Sequence, residues 1–100
     1  MTFIQIIECR TDDLTDFMAL EDEWSDRTEG RRTVRRTVVT RDRNDPTRHV
    51  LVMFYDSYES AMVNSGLPET GDYSARQAAV LAGPMAFHDL DVLDERTYGS

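Results

Sequence analysis

Val50-Leu51-Val52-Met53-Phe54-Tyr55 is the longest uninterrupted apolar run in this chain of 100 residues, and its reading decides the fold. Six β-branched, aliphatic and aromatic residues in a row, apolar on both parities, describe a strand with both faces covered. Working outward, Phe3 to Cys9 (FIQIIEC) reads the same way. Two further stretches differ. Thr33 to Thr40 sets Val34 and Val38 against Arg35 and Thr37, and Ala86 to Leu93 sets Phe87, Asp89 and Asp91 against His88, Leu90 and Val92. Alternation with charge marks exposed edge strands.

Helical patterns separate these strands. From Leu14 onward, Leu14, Phe17, Met18, Glu21 and Trp24 share one stripe; Thr11, Asp12 and Asp13 offer caps before it, and Gly30 a stop after it. Asn44-Asp45-Pro46 is a turn signal inside the hairpin tip Arg41 to Arg48. Asp56 to Glu59 has the spacing of a capping box before a run Tyr58 to Asn64. Ser65-Gly66-Leu67-Pro68 breaks that run, and a second run, Gly71 to Ala82, begins after Thr70 as cap and ends at Gly83-Pro84.

The order is therefore βαββαβ: an α+β, ferredoxin-like domain over residues 1–100, a four-stranded antiparallel sheet with the helices on one face. Strands 1 and 3 belong in the centre and 4 and 2 at the edges, in agreement with their polarity. Helices on one side leave alternate residues of both central strands bare. Exposing several such side chains costs roughly 1.5–3 kcal/mol each, so a homodimer through the sheet face is expected.

Composition narrows the function classes. The apolar runs are far too short to span a bilayer, and Met1 to Arg10 lacks the layout of a secretion signal, so the expectation is a cytoplasmic protein with no membrane partner. All 11 cationic side chains are arginine, eight of them between Arg27 and Arg48. Yet the net charge is −8 and no aromatic is interleaved among them, which argues against nucleic acid and for arginines paired with acidic groups of the first helix, the C-terminal segment or a second subunit. Cys9 stands alone and reads as a small buried thiol. No histidine or cysteine set has metal-ligand spacing, and no glycine-rich phosphate loop occurs, so neither a metal nor a tightly bound cofactor is expected.

Several residues are candidates for a site. Trp24 lies on the inward stripe of the first helix, opposite the broken second helix, whose interruption leaves room for a groove lined by Tyr55, Tyr58, Met62 and Tyr73. Packing alone would also use these side chains. Asn64, at the break, suits either a helix end or an amide anchor for a phenol or carbonyl oxygen. His88 is the better placed of two imidazoles for proton transfer, while His49 belongs near the hairpin tip in solvent.

With this layout, and with the stretch Phe54 to Thr70 (FYDSYESAMVNSGLPET), the chain resembles the dimeric α/β-barrel superfamily, and within it small proteins of the antibiotic-biosynthesis-monooxygenase type. The resemblance implies a cleft for a small aromatic or polyketide-like molecule and a cofactor-independent oxygenase in which a substrate carbanion reduces dioxygen directly. Asn64 would then be the polar anchor and His88 the base. The motifs of characterised members transfer incompletely. The segment Tyr58 to Ala82 has no histidine and strand 3 no tryptophan, which disfavours haem degradation, and Pro68 stands where the Asn-plus-four tryptophan of anthrone oxygenases belongs. The alternative reading is a ligand-binding or assembly module without turnover.

Overall fold

Register across the two inner strands fixes which side chains share a face. Phe3 lies opposite Tyr55, Gln5 opposite Met53, Ile7 opposite Leu51 and Cys9 opposite His49. In an antiparallel pair, residues in register project to the same side, so these eight form one surface. Phe3, Cys9, Leu51, Met53 and Tyr55 are all buried there, beneath Phe17, Ala61, Trp24 and Tyr73 from the helices.

The computed structural model describes residues 2–99. Its elements are β1 (Phe3–Arg10), α1 (Thr15–Arg27), β2 (Arg36–Arg41), β3 (Arg48–Tyr55), α2 (Tyr58–Ser65), α3 (Pro68–Ala79) and β4 (Ala86–Asp91). The sheet is antiparallel with order β2-β3-β1-β4, the ferredoxin-like order expected from strand polarity. No helix among the described residues is long and apolar enough to cross a membrane.

The ends of several elements differ from expectation. Ser57, not Asp56, caps α2: its hydroxyl accepts from the Ser60 amide at 3.0 Å while the Ser60 hydroxyl accepts from the Ser57 amide at 3.2 Å. Asp56 instead binds Arg35, 2.7 Å from Nη2. α3 begins at Pro68 rather than at Gly71. Pro68 excludes its predecessor from helical geometry, so Leu67 is extended (φ −63°, ψ 135°), and proline at the first helical position needs no amide partner. Thr70 lies inside α3, where its hydroxyl takes other partners. β2 starts three residues later than expected: after the chain turns through Gly30, whose φ of 81° only glycine adopts freely, Thr33 is bonded to α2, its amide donating to Asn64 Oδ1 and its hydroxyl to the Ser60 carbonyl.

The opposite sheet face carries Ile4, Ile6, Val38, Val50, Val52, Phe54 and Leu90, and no helix among the described residues packs on it. At one end of this face the residues turn polar. Arg48 binds Glu8 and, at 3.1 Å, Asp42; Arg10 binds Asp45; His88 Nε2 stands 3.6 Å from Glu8. The hydrogen bond from Arg48, more than any other contact, holds the Glu8 carboxyl below its usual range.

His49 corrects a sequence expectation. It is buried, not exposed, with its ring nitrogens 3.3 Å from the Thr40 and Thr11 carbonyl oxygens, where it ties the hairpin to the turn after β1. The arginines find partners other than those expected. Arg31 is bidentate to Glu69 of α3 at 2.8 and 3.2 Å, Arg32 donates to the Ser25 carbonyl, and Arg36 lies over the Phe54 ring with its guanidinium carbon 5.2 Å from the centroid. Cys9 is free and buried, and burial pushes its thiol up.

Candidate functional site

A cavity of about 250 Å³ lies between the helices and the sheet. One interruption of the helical layer leaves it open. The break at Gly66-Leu67 redirects the chain between α2 and α3, so no continuous helix fills the space beside α1. α1 contributes Phe17, Glu21 and Trp24 along one stripe, and the sheet contributes Gln5, Ile7, Leu51, Met53, Tyr55 and Phe87 as floor.

Hydrogen bonds fix the polar part of the wall. The Trp24 indole Nε1 donates to the Thr70 hydroxyl at 3.0 Å, and that hydroxyl donates to the Asn64 carbonyl at 2.7 Å, one of the carbonyls α2 leaves without a helical partner. Asn64 is buried and engaged at both ends of its amide: Oδ1 accepts from the Thr33 amide at 3.0 Å, and Nδ2 donates to the Tyr55 hydroxyl at 3.2 Å. Asn64 thus positions Tyr55. Burial, with added repulsion from Glu21 and Asp89, pushes the Tyr55 phenol up to about 12, so it stays protonated. Its oxygen accepts from Asn64, and its own proton is given to no acceptor among the described residues.

Tyr73 is 1% exposed, and its hydroxyl is shut from solvent without a hydrogen-bond partner among the described residues. The Arg76 guanidinium carbon lies 4.7 Å from the centroid of its ring. A buried phenol O–H lacking an acceptor costs about 1–3 kcal/mol. Glu21 also faces the cavity; burial pushes its carboxyl up, and the Gln77 amide opposes that shift.

Of the residues singled out from sequence, Trp24, Tyr55, Asn64 and Tyr73 meet around this cavity. Tyr58 and Met62 do not: both are largely exposed on α2, and the Tyr58 ring stands edge-on to Phe3 at 5.4 Å. His88 is on the other face of the sheet, in register with Ile6 and beside Glu8. The cavity residues that sequence reasoning passed over include Gln5, Glu21, Gln77 and Phe87. A signal existed for two of them: Gln5 sits between Phe3 and Ile7 at inward parity, and Glu21 sits on an otherwise apolar stripe. Among the described residues no group of three or more His, Cys, Asp or Glu side chains gathers as a metal would require.

No protein-family model matches the chain, and no curated protein matches it. Solved structures do. Rv0793 of Mycobacterium tuberculosis superposes with a TM-score of 0.75 at 22% identity, covering 97% of this chain and 100% of that one. An antibiotic biosynthesis monooxygenase-type protein of Nitrosomonas europaea gives 0.73 at 18% identity over 92% of this chain and 90% of its own. A variant of SnoaB, a cofactor-independent oxygenase from Streptomyces nogalater, gives 0.75 at 7% identity over 94% of each. Superpositions this close at identities this low show a shared ferredoxin-like fold and not a shared activity, in agreement with the layout read from the sequence.

Proposed function

We propose that the chain binds a compact aromatic or polyketide-like carbonyl compound in the cavity beneath α1 and α3, and acts on it as a cofactor-independent monooxygenase. One observation carries the reading: two buried phenols, Tyr55 and Tyr73, each hold a proton with no acceptor among the described residues, in the wall of a cavity that combines apolar side chains with Gln5, Glu21 and Gln77. Two donors without acceptors select a ligand that brings oxygen lone pairs, while Trp24, Phe17 and Met53 favour a flat apolar body. The volume lies just below the roughly 300–1,000 Å³ of typical ligand pockets, which limits the occupant to a small one. The oxygenase half of the proposal draws on the likeness to SnoaB.

In such a reaction the ligand is deprotonated to a carbanion or enolate, its oxygen is held by the phenols, and the electron-rich carbon reduces dioxygen. A dry cavity protects the intermediate. The working form in this proposal is a cytoplasmic homodimer joined through the bare face that carries Ile4, Ile6, Val52 and Phe54. A second reading, binding without turnover, is favoured by the position of the imidazoles, since neither His49 nor His88 reaches the cavity.

The test uses Trp24, the chain's one tryptophan. Titration with aromatic polyketide-type carbonyl compounds should quench its fluorescence saturably, and oxygen uptake should follow without added metal, flavin or haem. Saturable quenching without oxygen uptake would select the binding reading. No quenching by any of them would remove both.

A further inference from the structure

Among the described residues lining the cavity, Glu21 carries the one carboxyl group. It sits on the inward stripe of α1, one turn after Phe17 and one before Trp24, and it forms no ion pair among the described residues. Together with Trp24 it also lines a second, outer groove between α1 and the strand-2 side, where Arg32, Arg35 and Arg36 stand. Glu21 therefore stands in the wall shared by the cavity and the outer groove.

We infer that Glu21 is the proton acceptor of this cavity, taking a proton from a C–H adjacent to the carbonyl of the bound compound. The inference rests on the ligand reading above. In the step the ligand C–H bond breaks, a Glu21 O–H bond forms, and the electron pair passes into the ligand as an enolate. The enolate oxygen accepts from the Tyr55 or Tyr73 hydroxyl. Nothing is oxidised or reduced, and Glu21 returns the proton to solvent through the outer groove.

The charged and titratable surroundings suit that role. Asp22, the next residue, disfavours ionisation of Glu21, as does burial, while the Gln77 amide from α3 favours it. The groove arginines are already engaged: Arg35 by Asp56, Arg32 by the Ser25 carbonyl, Arg36 by the Phe54 ring. A carboxylate lifted above its ordinary range is a stronger base than an exposed one. Burial raises the Tyr55 phenol as well, to about 12, so it remains a donor where Glu21 is ionised.

The test follows hydrogen–deuterium exchange of beta-tetralone, a bicyclic aromatic ketone with acidic benzylic C–H bonds, by NMR in D2O, alongside quenching of Trp24 by the same compound. Wild-type protein should accelerate exchange over buffer, with a rate rising through one ionisation above the usual carboxylate range. Glu21→Gln should bind the ketone within about threefold of wild type but exchange it about 100-fold more slowly, the lower end of what a positioned base contributes. Glu21→Asp should recover part of the rate. Exchange by Glu21→Gln at the wild-type rate, or wild-type quenching with exchange no faster than buffer, would overturn the assignment while leaving the ligand site standing. Absence of quenching in the wild type would remove the ligand site itself, and the assignment with it.

Discussion

Replacing Asn64 by alanine separates the structural work of that residue from any direct role on a ligand. Its amide makes two side-chain hydrogen bonds, one from the half-buried Thr33 amide at 3.0 Å and one to the buried Tyr55 hydroxyl at 3.2 Å. Truncation leaves the Thr33 N–H without an acceptor, costing about 1–3 kcal/mol, and removes a second bond worth about 0.5–1.5 kcal/mol. The sum, roughly 2–4 kcal/mol, should move the urea midpoint on the order of 1–2 M with an unchanged slope, read from the fluorescence of Trp24. Tyr55→Phe removes only the hydroxyl and strands one Asn64 N–H, a loss of about 1–2 kcal/mol. Because the two changes share a bond, the double variant should be more stable than the summed losses imply, by about 1 kcal/mol. A loss below about 1 kcal/mol for Asn64→Ala, or strict additivity in the cycle, would refute this reasoning: the amide would then be free to meet a ligand, and the position of Tyr55 would need another cause.

Three further outcomes are expected. Val52→Asp, at the centre of the bare sheet face, should yield a monomer by sedimentation where the wild type is a dimer burying more than roughly 1,200 Å²; a wild type that is monomeric at micromolar concentration would contradict the dimer. Stability should vary with pH through two groups held above their ordinary values. Glu21 is stabilising while protonated, so stability is lost as pH rises through its folded-state value and Glu21→Gln flattens that limb; Tyr55 contributes likewise from its ordinary 10.0 up to about 12, and Tyr55→Phe should remove the alkaline loss in urea titrations. Arg31→Glu reverses a pair whose arginine is half exposed and whose Glu69 is 22% exposed, and should lower the urea midpoint only slightly, since solvent and salt screen such pairs; unfolding on this change would assign the pair a structural weight that this screening denies.

Much of this protein is legible without coordinates. Strand polarity separates central from edge strands, because a strand apolar on both parities must sit between neighbours while one that alternates with arginine or aspartate tolerates an edge; the crossover rule then gives the order. Trp24 is marked as inward by its spacing from Leu14 and Phe17, and the break at Gly66 and Pro68 marks where the second helical layer opens. The sequence also placed Glu21 on the apolar stripe, although a carboxylate there draws less notice than a tryptophan.

What needed the tertiary structure was the choice of face. A period of two tells that Phe87 and His88 point oppositely, yet nothing local says which of them meets the helices; register with Ile7 and Ile6 puts Phe87 in the cavity floor and His88 on the bare side. The same holds for Asn64, whose partners Thr33 and Tyr55 are distant or unmarked in the chain, and for Asp56 and Ser57, adjacent and equally able to cap a helix until Arg35 claims one of them. Local preference is set by the chemistry of a few neighbouring residues and can be read from them. The partner of a buried polar group is set by which distant segments pack together, and only the folded chain, which must satisfy all such groups at once, decides it.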